Sequence, residues 1–180
     1  MPIRIYGNRS IKTLPGQTTR PTPARVREAL FNIWQGRIVD ARWLDLCAGS
    51  GAMGAEALCR GASSAVGIEQ SSAACRIIRQ NWQTVAQPEQ SFVILKGDVV
   101  AQLKRLQGQQ FNLAYFDPPY ASGLYQPALE ALVALLSPTA EVAIEHDPAL
   151  WQATAPKGLA IVRQKRYGST HLVFMAPEQG

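Results

Sequence analysis

The strongest chemical signal in this 180-residue sequence is a short stretch with two consecutive prolines. An apolar segment, 113–116, leads directly into Asp117-Pro118-Pro119-Tyr120. Two prolines fix the backbone and remove two amide donors, which leaves the Asp117 carboxylate and the Pro118 carbonyl as neighbouring acceptors. Two acceptors match the two N–H bonds of an exocyclic amino group, and Tyr120 is suited to stack on a base. The motif predicts a site that orients an amine, although a rigid turn with Tyr120 packed at its rim is the plain structural alternative.

A glycine-rich loop after an earlier apolar segment predicts a nucleotide-like cofactor. Gly49, Gly51 and Gly54 form G-x-G-x-x-G, which lets a loop backbone approach a ligand closely but occurs in several cofactor classes. Asp45 precedes the loop, where a carboxylate would repel a pyrophosphate and attract an ammonium group. Glu69 ends the next predicted strand and is placed to accept hydrogen bonds from ribose hydroxyls. The pattern favours S-adenosylmethionine over a dinucleotide.

A third carboxylate has two interpretations. Asp98 follows the third apolar segment, in Lys96-Gly97-Asp98, and precedes an apolar helix pattern. It is placed to accept the amino group of an adenine at the edge of the sheet, or to cap the helix by accepting a backbone N–H. The two roles can coexist.

These candidate residues all follow short apolar segments that alternate with amphipathic helix patterns. Such alternation predicts an α/β fold in which a mostly parallel sheet is covered on both faces. An open sheet of this type binds its ligand beyond the carboxyl ends of its strands. The predicted strands are 43–46, 65–69, 92–95, 113–116 and 142–144, followed by an antiparallel pair at 159–162 and 172–175.

The ends of the chain are basic and its middle is acidic. Of the net charge of +5, residues 1–42 contribute +6, residues 43–156 contribute −4 and residues 157–180 contribute +3. Basic ends favour a polyanionic partner because each neutralised phosphate releases a counterion. The same N-terminal region predicts a small hairpin over residues 3–14 and then a helix capped by Thr22.

Composition excludes several classes of protein. A content of 47% hydrophobic and 17% charged residues is typical of a globular chain, and no apolar stretch is long enough for a membrane span. Three cysteines without a Cys-x-x-Cys pair predict neither a disulfide framework nor a metal site. We therefore expect one cytoplasmic domain over 1–180, with a basic extension at 1–40 and a catalytic core at 41–180.

The motifs together resemble a known family. Asp45-x-x-x-Gly49-x-Gly51 resembles the first motif of class I S-adenosylmethionine-dependent methyltransferases, and Asp117-Pro118-Pro119-Tyr120 resembles the motif of those that modify amino nitrogens of bases. Three further stretches extend the resemblance: Arg20-Pro21-Thr22, the segment 25–32 and Tyr167-Gly168. With them the sequence resembles the bacterial 16S ribosomal RNA (guanine-N2)-methyltransferases over nearly the whole chain.

The resemblance implies a Rossmann-like fold with a seven-stranded, mostly parallel sheet, an antiparallel C-terminal strand and a small N-terminal hairpin and helix. It implies methylation of the guanine N2 amine in ribosomal RNA, within a small-subunit particle or an assembly intermediate, with S-adenosylmethionine as cofactor and no metal. Two alternatives stay open, an N6-adenine methyltransferase and a ribosome-assembly factor that binds RNA without turnover; an NAD oxidoreductase is more distant.

The resemblance also implies roles for individual residues. They are Asp45, Gly49 and Gly51 at the methionine end, Glu69 at the ribose, Asp98 at the adenine, Asp117, Pro118, Pro119 and Tyr120 at the target base, and Arg20, Thr22, Arg25 and Asn32 at the mouth of the site.

Overall fold

The computed structural model describes residues 2–16, 22–119 and 123–180. Within these parts of the chain, nine strands and five α-helices form, with short 3-10 turns at Tyr6–Asn8 and Val133–Leu135. The strands are β1 (Ile3–Ile5), β2 (Arg9–Ile11), β3 (Arg42–Leu46), β4 (Ser64–Glu69), β5 (Ser91–Lys96), β6 (Phe111–Phe116), β7 (Leu136–His146), β8 (Leu159–Tyr167) and β9 (Thr170–Pro177). The helices are α1 (Ala24–Ile33), α2 (Ala52–Cys59), α3 (Ser72–Val85), α4 (Val99–Arg105) and α5 (Tyr125–Leu132).

Seven of the strands form one sheet, in the order β5-β4-β3-β6-β7-β9-β8. The five strands from β5 to β7 are parallel, whereas β9 is antiparallel to both of its neighbours. The predicted fold, with its antiparallel C-terminal strand, is confirmed. From β3 to β5 the strands are added toward one edge of the sheet, and from β6 onward they are added toward the other edge. In an open α/β sheet a ligand binds where this direction reverses, here between β3 and β6.

The sheet separates two hydrophobic clusters, which explains why its central strands are apolar on both faces. Trp43 lies on one side with Trp34 and Phe31 from the N-terminal region. Leu44 and Phe116 lie on the other side, with the apolar residues of α4 and α5. Because the sheet is buried on both faces, the exposed ends of its strands are left for polar chemistry.

The N-terminal hairpin packs on α2 and α3. Ile5 and Ile11 are buried in the cluster on that side of the sheet. The Tyr6 amide donates to Glu56 Oε1 at 3.1 Å. Asn81 accepts from the Lys12 amide at 2.8 Å and donates to the Lys12 carbonyl at 2.9 Å. The small β1–β2 hairpin expected from the sequence is therefore held on the helical layer by hydrogen bonds between its backbone and the side chains of Glu56 and Asn81.

Of the helix caps predicted at Asp98 and Thr22, the first forms and the second does not. Asp98 Oδ2 accepts from the Ala101 amide at 2.9 Å and caps α4. Ser71 Oγ caps α3 in the same way. The prediction that Thr22 caps α1 is wrong, because Pro23 occupies the cap position and the Thr22 hydroxyl bonds elsewhere. None of the helices in the described residues is long and apolar enough to cross a membrane.

Candidate active site

The parallel register brings the predicted acidic residues to one edge of the sheet. Asp45 pairs with Tyr115 of β6, two positions before Asp117. Glu69 is the last residue of β4, the neighbour of β3 on its other side. Since parallel strands end at a common edge, the three carboxyl groups lie around the loop that follows β3. The sheet topology thus joins residues that are more than seventy positions apart in the chain.

The glycine loop after β3 has a backbone that favours glycine. Gly49 and Gly51 have φ angles of +59° and +76°, which are strained for residues with a Cβ. The Gly49 amide donates to Glu69 Oε2 at 2.8 Å, so that the end of β4 holds the loop. A Cβ on Gly49 would meet no atom within 4 Å. The open side of Gly49 therefore leaves room for a ligand to approach the loop backbone.

Two side chains of α3 support the loop from the opposite side. The Trp82 indole donates to the Gly51 carbonyl at 2.8 Å, and Asn81 donates to the Ser50 carbonyl at 2.9 Å. Trp82 is fully buried, and its ring also lies against Gly54. The third glycine of the motif is therefore required by packing, since a larger residue would overlap the indole.

Replacing Gly54 by alanine is expected to weaken both folding and cofactor binding. The added Cβ would lie 2.3 Å from Trp82 Cζ2, so the indole and its hydrogen bond to the loop must move. Overpacking of this kind costs about 1–3 kcal/mol of stability. Chemical denaturation and calorimetric titration with S-adenosylhomocysteine measure the two effects.

The Trp82→Leu change in the Gly54→Ala background supplies the control for this prediction. Leucine gives the added methyl group space, so Gly54→Ala should lower stability less in the Trp82→Leu background than in the wild-type protein, while cofactor affinity stays low because the indole hydrogen bond is gone. A Gly54→Ala protein with unchanged stability and affinity would contradict the packing argument.

Cys47 lies where the predicted acidic residues converge. Burial, followed by the charges of Glu69, Asp117, Asp45 and Asp98 in that order, raises the pKa of its thiol to about 12. Burial likewise raises the pKa of Asp45, which accepts a hydrogen bond from the Gly54 amide at 3.1 Å. Acidic groups that disfavour each other's charge are stabilised by a bound cation. The site therefore fits a ligand with positive charge, such as an ammonium or sulfonium group.

Glu69 and Asp98 also accept hydrogen bonds from backbone amides of the protein itself. Glu69 accepts from the Gly49 amide with one oxygen and from the Ser71 amide, at 2.9 Å, with the other. Each carboxylate oxygen has a second lone pair, so these bonds leave acceptor capacity for hydroxyl groups. Asp98 is exposed and uses Oδ2 for the helix cap. The geometry is compatible with the predicted ribose and adenine contacts, which remain predictions.

Asp117 is half-buried directly after β6, and Pro118 beside it is buried. Burial raises the pKa of Asp117 well above its usual range, and the neighbouring charges of Glu145 and Asp45 raise it further. The Asp117 carboxyl group lies beside Glu145, because Phe116 pairs with Ile144 across the β6–β7 strand pair. Burial and the neighbouring acids thus favour the protonated form of Asp117.

The residues predicted at the mouth of the site lie in different places in the structure. The Thr22 hydroxyl bonds Tyr115 OH at 2.9 Å and so joins the side chains around Asp117. The exposed Arg25 lies against the turn at Gly168, where the two basic ends of the chain meet. Asn32 is exposed on the last turn of α1, about two helical turns from Arg25. Arg20 and Tyr120 lie outside the described residues.

Sequence reasoning missed the partners of Asp117 and of the glycine loop. Glu145 follows the apolar run 142–144 near the carboxyl end of its strand, as Asp45 and Glu69 lie near the ends of theirs, so the same criterion would have found it. Tyr115, Asn81 and Trp82 carry no comparable signal, because each lies within a regular element and acts through tertiary contacts. Among the described residues, no group of three or more His, Cys, Asp and Glu side chains is arranged to hold a metal ion.

Comparison with solved structures defines the class of protein. A structure from Escherichia coli aligns with this chain over 100% of both chains, with a TM-score of 0.84 and 32% sequence identity. One from Haemophilus influenzae gives a TM-score of 0.81 at 26% identity and covers 99% and 100% of the two chains. The sheet order and the acidic, glycine-lined strand ends are those of the Rossmann-like, class I methyltransferases that use S-adenosylmethionine.

Sequence comparison defines the family. The model of the family described as conserved hypothetical protein 95 matches residues 3–176, and the chain belongs to this family. A relative from Escherichia coli K12, ribosomal RNA small subunit methyltransferase D, is 32% identical over 185 residues, which cover 99% of this chain and 92% of the relative. The protein of the same name from Haemophilus influenzae is 28% identical and covers 91% and 90% of the two chains.

Proposed function

We propose that this protein methylates the exocyclic N2 amine of a guanine in small-subunit ribosomal RNA, with S-adenosylmethionine as the methyl donor. One observation carries the proposal: Asp117-Pro118-Pro119 follows β6 directly beside the glycine loop that follows β3. An amine acceptor pair and a cofactor loop on adjacent strands suit direct transfer. The relatives named ribosomal RNA small subunit methyltransferase D support RNA as the substrate.

The residues on the cofactor side have separate roles in the proposal. The Gly49–Gly51 backbone would hold the methionine moiety, and Asp45 would stabilise its positive charge. Glu69 would accept from the ribose hydroxyls and Asp98 from the adenine amino group. When bound, S-adenosylmethionine supplies an electrophilic methyl group on a positively charged sulfur, so the chemistry requires no metal.

On the substrate side, the protein orients the amine. The Asp117 carboxyl group and the Pro118 carbonyl each accept one N–H of the base, while Pro119 keeps the turn rigid. Tyr120 stacks on the base, which is turned out of its RNA context. The nitrogen forms its bond to the methyl group with its lone pair, the carbon–sulfur electron pair stays on sulfur, and one proton leaves the nitrogen for water.

The RNA contacts extend from this pocket to the basic surface. Arg25 approaches the turn between β8 and β9. Strand β8 carries Lys165 and Arg166 just before this turn, and Arg166 Nε donates to the Gly168 carbonyl at 2.9 Å. Basic side chains from both ends of the chain thus lie near one another, and they favour phosphate contacts. Arg20, Thr22 and Asn32 complete the proposed substrate side.

Transfer of labelled methyl from S-adenosylmethionine, followed by nucleoside analysis, tests the proposal. Under-methylated small ribosomal subunits and their naked RNA are the two substrates. We expect N2-methylguanosine as the single labelled product, with faster labelling of the particle because the small basic surface needs neighbouring proteins to complete recognition.

Other outcomes would identify the alternatives. Labelled N6-methyladenosine would contradict the choice of base. Cofactor binding without transfer to subunits, RNA or DNA would favour a binding protein without turnover. Equal rates on particle and naked RNA would contradict only the particle preference.

A further inference from the structure

Glu145 is a buried carboxyl group beside the proposed acceptor of the amine. Phe116, the last residue of β6, pairs with Ile144 of β7. The residues that follow them, Asp117 and Glu145, therefore lie side by side. Glu145 is only 5% exposed. A carboxyl group at such a position is destabilising unless hydrogen bonds satisfy it. Its partners therefore indicate why an acid is present there.

Two hydroxyl groups converge on Glu145. Tyr115 OH donates to Glu145 Oε2 at 2.5 Å, and Thr22 Oγ1 lies 3.2 Å from the same oxygen and 2.9 Å from the Tyr115 hydroxyl. The register of β6 and β7 places the Asp117 carboxyl group beside Glu145. Two neighbouring carboxyl groups avoid mutual repulsion when one of them holds a proton and donates it to the other. Because the two hydroxyl groups already direct donors at Glu145, the proton is assigned to Asp117, whose pKa burial raises.

We propose that Glu145 is a positioning residue for methyl transfer, which holds Asp117 in its protonated form through a carboxyl–carboxylate hydrogen bond. The inference rests on the proposed function for its catalytic meaning, whereas the arrangement itself is a property of the free protein. Tyr115 and Thr22 fix Glu145, and Thr22 connects the cluster to the segment that precedes α1.

A protonated Asp117 behaves as an asparagine would. Its hydroxyl donates to Glu145, and its carbonyl oxygen remains as an acceptor with a fixed direction for one N–H of the base. It does not take the proton of the amine, which leaves for water. Within the described part of the chain, the titratable groups that face Asp117 are Asp45, Cys47, Tyr115 and Glu145. Burial, together with the charges of Glu145 and Asp45, raises the pKa of Asp117.

The first test is a carboxyl titration that needs no substrate. Carbon-13 NMR of protein labelled at the aspartate carboxyl carbons follows Asp117, whose signal is assigned by its absence in Asp117→Asn. We expect Asp117 to be protonated at neutral pH, and in Glu145→Gln to titrate at clearly lower pH because a neighbouring negative charge is removed. Glu141→Gln, in the same strand but paired with Arg37 and Arg163, is the matched control and should leave the Asp117 titration unchanged.

The second test is kinetic and separates positioning from folding. In Glu145→Gln we expect kcat to fall about 10–100-fold, as a misplaced reacting group does, with KM for S-adenosylmethionine unchanged. The alkaline fall of kcat should move to lower pH. Asp117→Asn in the Glu145→Gln background should restore much of kcat, because an amide presents the same acceptor without a proton to lose.

Specific results would overturn the inference. An ionised Asp117 at neutral pH in the wild-type protein would do so, even if methyl transfer is confirmed. So would a Glu145→Gln enzyme with wild-type kcat and pH profile, or a double variant no better than Glu145→Gln. If Glu145→Gln does not fold, Tyr115→Phe removes the donor that fixes Glu145 and should change the pH at which Asp117 titrates; an unchanged titration would contradict the proposal. A protein without transfer activity but with a protonated Asp117 would reject the proposed function alone.

Discussion

Asp117→Ala is expected to lower kcat for methyl transfer by about 10²–10³-fold, the effect of losing a group that orients the reacting atoms. The substitution removes one of the two acceptors that hold the amine and leaves the Pro118 carbonyl alone. Affinity for S-adenosylhomocysteine should change little, since the glycine loop is held by Glu69 and Trp82 and not by Asp117. Single-turnover transfer measures the first quantity and calorimetry the second.

Asp117→Asn is the matched control and distinguishes orientation from proton removal. Asparagine keeps a carbonyl acceptor at the same position and has an N–H to donate to Glu145, but it cannot accept a proton. We therefore expect measurable turnover that no longer depends on titration of this residue. Complete loss of activity with intact cofactor binding would instead identify Asp117 as a true general base and contradict the orienting role.

Glu56→Leu is expected to reduce the free energy of unfolding by about 3–5 kcal/mol, the usual cost of breaking a buried ion pair. Glu56 Oε2 lies 2.7 Å from Arg27 Nε, and both side chains are less than 5% exposed. Glu56 also accepts from the Tyr6 amide and pairs with Arg60 at 3.6 Å. The substitution leaves the Arg27 charge buried without its carboxylate and releases the hairpin. Urea denaturation measures the change.

Two variants define the origin of this effect. Arg27→Met in the Glu56→Leu background removes the unpaired charge and should recover more than half of the lost stability. Glu141→Leu is the less buried counterpart, because Glu141 also pairs with two arginines, Arg37 and Arg163, that are more than a third exposed. Glu141 itself is 15% exposed and accepts from the buried Trp34 indole, so its loss should cost more than that of a surface ion pair but clearly less than Glu56→Leu. Equal losses at Glu56 and Glu141 would show that burial is not the cause.

The hydrophobic pattern by itself determined the sheet and its sequence of elements. The predicted strands at 43–46, 65–69, 92–95 and 113–116 each lie within an observed strand, since short apolar runs bounded by turn residues have few other ways to be buried. The pattern also identified which residues end those strands. The prediction for β7 was too short, because the strand extends over Leu136–His146 and includes polar residues that tertiary contacts satisfy.

Local chemistry likewise predicted the glycine loop and the Asp117-Pro118-Pro119 turn. Positive φ angles at Gly49 and Gly51 follow from the loop that the motif requires, and a helix cap at Asp98 follows from its position before α4. These features depend only on neighbours within a few residues, and local motifs can therefore be predicted from a sequence.

Only the tertiary structure decided which distant side chains meet. Thr22 was expected to cap α1, but its hydroxyl bonds Tyr115 and Glu145, more than ninety positions away. Glu145 becomes a partner of Asp117 because the β6–β7 register sets the two carboxyl groups side by side. Burial then raises the pKa of Asp117, and burial is a property of the assembled sheet and helices. The sequence determined which groups the site contains, whereas packing and strand register determined their neighbours and charges.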